Sequence, residues 1–189
     1  MQELISKTEC FNNPASSGCS GVSVSDVAVG RTSQQRIIPS MNFTCNGFVT
    51  EWTVGAETSN HNSFPELQIW YQTSPSIGGV YTLRSSTALE SEFCRNGLNE
   101  IVENVFSCTL LSPIQIHESD TLGIFQPRRS RSQYSILYNS PGPLNYVRLP
   151  GSNDIFNTTG GISDLRQPLV AVKVEIRKSN LYLNVHLQL

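Results

Sequence analysis

"QPLVAVKVEIR", residues 167–177, decides the fold. Val170, Val172, Val174 and Ile176 fall on one side of an extended chain; Ala171, Lys173, Glu175 and Arg177 fall on the other. That period of two belongs to a β-strand with one buried face, because successive side chains leave a strand in opposite directions. Working outward, "FVTEWTV" (48–54) alternates too. It predicts Phe48, Trp52 and Val54 inside, with Val49, Glu51 and Thr53 outside. "ELQIWYQ" (66–72) puts Leu67, Ile69 and Tyr71 on one face, and leaves Trp70 on the other with Glu66 and Gln68. "VYTL", "NVFSCTL", "TLGIF", "YSILY" and "LNYVRL" complete the predicted strands.

Turn chemistry separates these runs. Asn46-Gly47, Gly78-Gly79, Pro141-Gly142-Pro143 and Gly160-Gly161 are strong breakers. Pro39, inside "RIIPSMNF", has no N–H to give a ladder, so it predicts a bulge or an edge strand. Only "CRNGLNEIVENVF" has helical potential, and Asn96-Gly97 weakens it. The fold class is therefore all-β: a two-sheet antiparallel sandwich of jelly-roll type. Residues 1–21 read as an irregular cysteine-containing arm, 22–178 as the β-sandwich domain, and 179–189 as a C-terminal tail. In that tail Leu181, Leu183, Val185, Leu187 and Leu189 alternate with polar residues. It is either one extra strand or foreign to the fold.

Charge excludes some partners. The net charge is −2 over 189 residues, so no basic field exists to hold nucleic acid or an anionic membrane. No apolar run approaches the roughly 18 residues of a membrane span. "MQELISKTEC" has no apolar core and does not read as a signal peptide, so either the protein is cytosolic or its natural start is missing, and the second is expected.

The five cysteines form no C-x-x-C pair, which removes the usual support for zinc or thioredoxin-like chemistry. Cys10 with Cys19 and Cys94 with Cys108 are the candidate disulfides, leaving Cys45 as a buried free thiol. Two N-x-S/T sequons, at Asn42 and Asn157, are candidate glycosylation sites. Asn42 should face outward between core residues Met41 and Phe43, and Asn157 should lie in a loop. Cysteines and sequons together point to an oxidising compartment, so an extracellular or cell-surface location is expected.

No nucleophile elbow, metalloprotease helix, P-loop or dinucleotide fingerprint occurs, and no catalytic residue, metal or cofactor is expected. His117, Glu118 and Asp120 crowd one turn and lack a second ligand region, so they are expected to be structural. Asp120 should cap that turn. Arg128, Arg129 and Arg131 form a candidate anion-recognition loop, since guanidinium forks suit carboxylate, sulfate or phosphate. Tyr134 could stack beside them. The competing readings of the loop are a solvated turn or an Arg-x-x-Arg protease site. Trp70 is a candidate stacking residue if its face is open, and a core residue if both faces of its strand are covered.

"RIIPSMNFTCNGFVTEW", "FPELQIWY", "SPIQIHESDTLGIFQP" and "QPLVAVKVE" occur in that order. Across about residues 36–175 this order resembles an uncharacterised extracellular β-sandwich module that recurs in sponge and other early-animal cell-surface proteins. The chain departs from that pattern at Ser119, where the module tends to have Gly, and in ending in an alternating tail instead of a membrane span. The resemblance implies an ectodomain fold and brings no ligand and no catalytic residue. The expected function is a non-catalytic extracellular recognition or adhesion module with a protein or glycan ligand. The alternative is a carbohydrate-binding or hydrolytic jelly-roll domain.

Overall fold

The computed structural model describes residues 4–7, 10–11, 26–27, 32–74, 79–128, 131–150 and 154–177. These residues are built from strands, with short 3-10 turns at Ser91–Phe93 and Thr158–Gly160 and no α-helix among them. In chain order the strands are β1 (Leu4–Lys7), β2 (Asp26–Val27), β3 (Gln34–Asn42), β4 (Gly47–Thr58) and β5 (Glu66–Ser74). Then come β6 (Val80–Ala88), β7 (Asn99–Val102), β8 (Val105–Ile116) and β9 (Thr121–Gln126). The last four are β10 (Tyr134–Arg148), β11 (Ile155–Asn157), β12 (Ile162–Pro168) and β13 (Val170–Arg177).

Ladder hydrogen bonds join all thirteen into one sheet. It is antiparallel and curls into a half-barrel. The main path runs β1-β13-β4-β10-β3-β9-β5-β6-β11, with β8 and β7 built onto β4, and β12 and β2 onto β10. Curling lets one continuous apolar face close on itself. Val49, Trp52 and Val54 of β4 and the valines of β13 share one core with Ile38, Leu67, Ile69, Leu122 and Ile124.

β13 is the strand the alternation predicts: Val170, Val172 and Val174 are buried and Lys173 is exposed. β4 keeps Trp52 and Val54 inside but reverses the two residues at its start. Val49 is fully buried and Phe48 only half-buried, the opposite of the expected facing. The cause is a bulge. Lys173 pairs with Glu51 while the next residue, Val174, pairs with Val49, so Thr50 is extra and flips everything before it. Pro39 also sits in a bulge, where the β3–β9 register shifts between Ile38 and Asn42.

Three further elements differ from expectation. Part of the predicted irregular arm is a strand, since β1 pairs with the end of β13. "YSILY" and "LNYVRL" are one bent strand, because Pro141-Gly142-Pro143 makes a register shift against β12 and not a chain reversal. Gly142 is needed there: a Cβ would sit 2.2 Å from the Gln167 nitrogen. The stretch with helical potential gives β7 and the start of β8 instead.

The expected pairing of Cys10 with Cys19 is also corrected. Cys10 is bonded to Cys45, so Cys45 is not a free thiol. Phe11 bridges Phe43, with ring centroids 5.0 Å apart, and Cys10 O accepts from the Thr44 N–H at 2.9 Å. The arm therefore docks beside Cys45. Cys19 lies outside the described residues, as do the tail at 179–189 and His186. The Cys94–Cys108 disulfide forms as predicted.

Candidate functional site

The arginine loop leaves the sheet after β9 and returns as β10. Its base is tied by side chains that have no charge. Gln126 is buried and lies at the centre. Its Nε2 donates to Ser132 Oγ and to Tyr134 O, each at 3.0 Å, and its Oε1 accepts from the Ile136 N–H at 3.0 Å. Ser132, 0 % exposed, is held by a neighbouring loop as well. Ser63 bridges it, and Ser59 Oγ donates to its carbonyl oxygen. The Ser63 N–H donates to Arg131 O at 3.0 Å and the Gln133 N–H to Ser63 O at 2.6 Å. Within the loop, the Arg131 N–H donates to Arg128 O at 2.9 Å. The Arg128 N–H reaches Ser33 Oγ at 3.3 Å.

The backbone of both arginines is thus fixed while Arg128 and Arg131 themselves stay exposed. Arg129 lies outside the described residues. Tyr134 is half-buried and is packed edge-on against Phe106 at 5.3 Å and tilted against Phe64 at 6.3 Å. Burial, and then the Glu100 charge, raise its phenol above the usual value of 10.0. It is a pedestal under the loop more than a free stacking ring. His61 lies exposed in the loop that braces Ser132.

Trp70 is 0 % exposed, so it is not an open stacking residue. Both faces of β5 are covered. On the face opposite the main core, Trp70 packs with Ile37, Tyr81 and Phe156 in a second cluster. Its indole stands over Gly123, its N–H donates to Gln68 Oε1 at 3.2 Å, and Phe156 meets it edge-on at 6.2 Å. Phe156 arrives from β11, which pairs with β6. Arg148 closes the cluster, with its guanidinium 4.4 Å from the Phe156 ring and two hydrogen bonds to Gln35 Oε1. Burial lowers its pKa from the usual guanidinium range.

A polar group inside the curl was not singled out in the sequence. Arg36 is 3 % exposed and shares a face with Ile38. Its Nη1 donates to Asp164 Oδ2 at 2.6 Å and to Asn145 Oδ1 at 3.0 Å, and its guanidinium lies 4.9 Å from the Tyr138 ring. Arg36 ties β3 to β12 across β10, which is a structural task. The one available signal was a charged residue in phase with buried apolar ones.

The acidic turn is structural. Asp120 accepts from the His117 N–H at 2.8 Å, capping the turn as predicted, and takes a two-point ion pair from Arg84 with Nε at 2.7 Å. Ser119 in that turn has φ 71°, the left-handed region that favours glycine. Among the described residues no group of three or more His, Cys, Asp or Glu could hold a metal ion. No helix among them is long and apolar enough to cross a membrane.

The two sequons differ. Asn42, expected to face outward, is half-buried between the fully buried Met41 and Phe43. Asn157 is exposed and ends β11 at a 3-10 turn. The chain matches no family model, no curated protein and no solved structure.

Proposed function

We propose that the chain is a non-catalytic extracellular recognition or adhesion module whose contact surface is the Arg128–Arg131 loop. The observation that carries this is the contrast between the loop's base and its tip. The base is fixed by neutral hydrogen bonds through Gln126, Ser132 and Ser63, and the tip presents Arg128 and Arg131 to solvent. Function on loops over a rigid scaffold is the common arrangement for binding modules. Guanidinium groups carried on a fixed backbone suit the carboxylate or sulfate of an acidic protein or glycan, because the main chain loses little freedom on binding.

Two disulfides fit an oxidising compartment and favour an extracellular location. The reading also treats the curled sheet as a two-sheet jelly-roll sandwich, since the apolar residues of β13, β4 and β8 face those of β3, β9 and β5 across one core. The carbohydrate-binding or hydrolytic alternative calls for a concave face with two or more exposed aromatics, or for two facing carboxylates. Both tryptophans are fully buried, so nothing specific favours it.

The test is a binding comparison on heparin and on a polyglutamate peptide, each immobilised. The wild-type chain should bind one of them, and R128A/R129A/R131A should lose that binding while its melting temperature stays nearly unchanged. Exposed charges contribute little to folding, and the loop is held by its backbone. Equal binding by both proteins, or binding by neither, refutes the proposal.

A further inference from the structure

We propose that Asn157 accepts an N-linked glycan and that Asn42 does not. The inference uses the lumenal route that the extracellular reading implies. It rests on the shapes of the two sequons, which differ in the exposure of the asparagine and in what the threonine N–H binds.

At Asn157 the triplet is sorted by alternation. Phe156 and Thr158 point inward: Phe156 is 0 % exposed, and Thr158 is 5 % exposed with its hydroxyl donating to Gly79 O at 3.2 Å. Asn157 and Thr159 point outward and are exposed. The Asn157 carboxamide oxygen accepts from the Thr159 N–H at 3.0 Å and from the Thr159 hydroxyl at 2.5 Å. Both bonds fall on the oxygen and leave the Nδ2 side, where a sugar attaches, uninvolved in them. A glycan there displaces no buried group.

At Asn42 the threonine is exposed too, but the asparagine itself is half-buried. Asn42 lies directly across from Thr121, so the two share a face, and Thr121 is 3 % exposed. A sugar on that face meets packed side chains. The Thr44 N–H is used by Cys10 O at 2.9 Å, and Cys45, one residue further on, is bonded to Cys10. That disulfide ties the chain directly after the triplet, and Met41 directly before it is fully buried.

The chemistry is a group transfer. The Asn157 Nδ2 forms a bond to the anomeric carbon of a lipid-pyrophosphate-linked oligosaccharide, and the bond from that carbon to the pyrophosphate oxygen breaks. The pyrophosphate leaves with the electron pair, and one amide proton is released. A lumenal glycosyltransferase supplies the donor; the chain supplies only the acceptor.

The position also has a use. β11 ends the sheet path, with no further strand paired to it among the described residues, and Ile155 on the same outward side is 51 % exposed. Bare edges with apolar residues invite pairing between copies. A glycan two residues away blocks that approach.

The experiment supplies a cleavable secretion signal, so that acceptor use is read independently of the native location. Wild type, N42Q, N157Q and T159A are expressed in eukaryotic cells, and medium and lysate are both treated with peptide N-glycosidase. Wild type and N42Q should show one mobility step each; N157Q and T159A should show none. Secreted N157Q should self-associate more than wild type in size-exclusion chromatography. A wild-type chain that has both disulfides and shows no step overturns the assignment, and so does a step that survives N157Q. Either result leaves the arginine-loop reading to its own binding test.

Discussion

Replacing Gly123 by alanine tests whether the Trp70 face is core. A Cβ at Gly123 would lie 2.3 Å from the Trp70 indole nitrogen, 2.5 Å from its Cδ1 and 3.0 Å from Arg36 O. The Arg36 carbonyl belongs to the adjoining strand, so the indole must move. Overpacking of this kind costs about 1–3 kcal/mol. Moving the indole also breaks its hydrogen bond to Gln68, worth about 1 kcal/mol, and its edge contact with Phe156, worth about 0.5–1.5 kcal/mol. The sum predicts a destabilisation of about 3–5 kcal/mol for G123A. Urea unfolding followed by tryptophan fluorescence measures it, with Trp52 and Trp70 as the two reporters. In a W70L background the same change should cost under about 1 kcal/mol, because the clash is gone and neighbouring sites couple. Additive costs, or a G123A cost near zero, would refute the packing and reopen Trp70 as an exposed ligand contact.

Three other outcomes follow from particular contacts. Removing the Cys10–Cys45 bridge, which spans 35 residues of separation, should cost about 4 kcal/mol in the chain-entropy model, against about 3 kcal/mol for Cys94–Cys108 at 14. Unreduced protein should carry one alkylatable thiol, at Cys19, and a second labelled cysteine in the native protein would break the pairing. S119G should raise stability by up to about 1 kcal/mol, since relief at φ 71° exceeds the added freedom of glycine in the unfolded chain; a lower melting temperature would contradict that. Burial raises the phenol of Tyr138 above its ordinary value of 10.0. Its neutral form is favoured in the folded state, so the stability it contributes is full below pH 10 and is lost as pH rises above that value. Tyrosinate absorbance should therefore show a late-titrating group that ionises with unfolding, and six tyrosines titrating together near their ordinary value would count against it.

The all-β class and the inward side of β13 were legible because both depend on a local period. Asp120 was legible for the same reason, since its turn is closed by its own neighbours. What failed depends on partners far away in the chain. The bulge at Thr50 exists only because β4 pairs with β13, and it reverses Phe48 and Val49 with no local mark. Glu66 and Gln68 made the second face of β5 look open, but Phe156, far along the chain, covers it. Cysteine spacing favoured the short Cys10–Cys19 loop, whereas the arm follows Phe11 to Phe43 and brings Cys10 to Cys45. β12 was missed because Ile162 and Leu165, at 77 % and 57 % exposed, lack the buried partners that make an alternation. At the candidate site the arginines stood out by charge. The neutral clamp through Gln126, Ser132 and Ser63 did not, since such residues are common in this chain and only the fold brings them together.

The most direct test of the arginine-loop account is a titration of the arginine Nε–H resonances by nuclear magnetic resonance, with a heparin-derived oligosaccharide and then a glutamate-rich peptide as probes. The account predicts that the signals of Arg128, Arg129 and Arg131 shift together along one saturating curve with one of the two probes. The signals of Arg36, Arg84 and Arg148, held by Asp164, Asp120 and Gln35, should stay in place. No shift with either probe, or small unsaturated shifts spread over all exposed arginines, would contradict it.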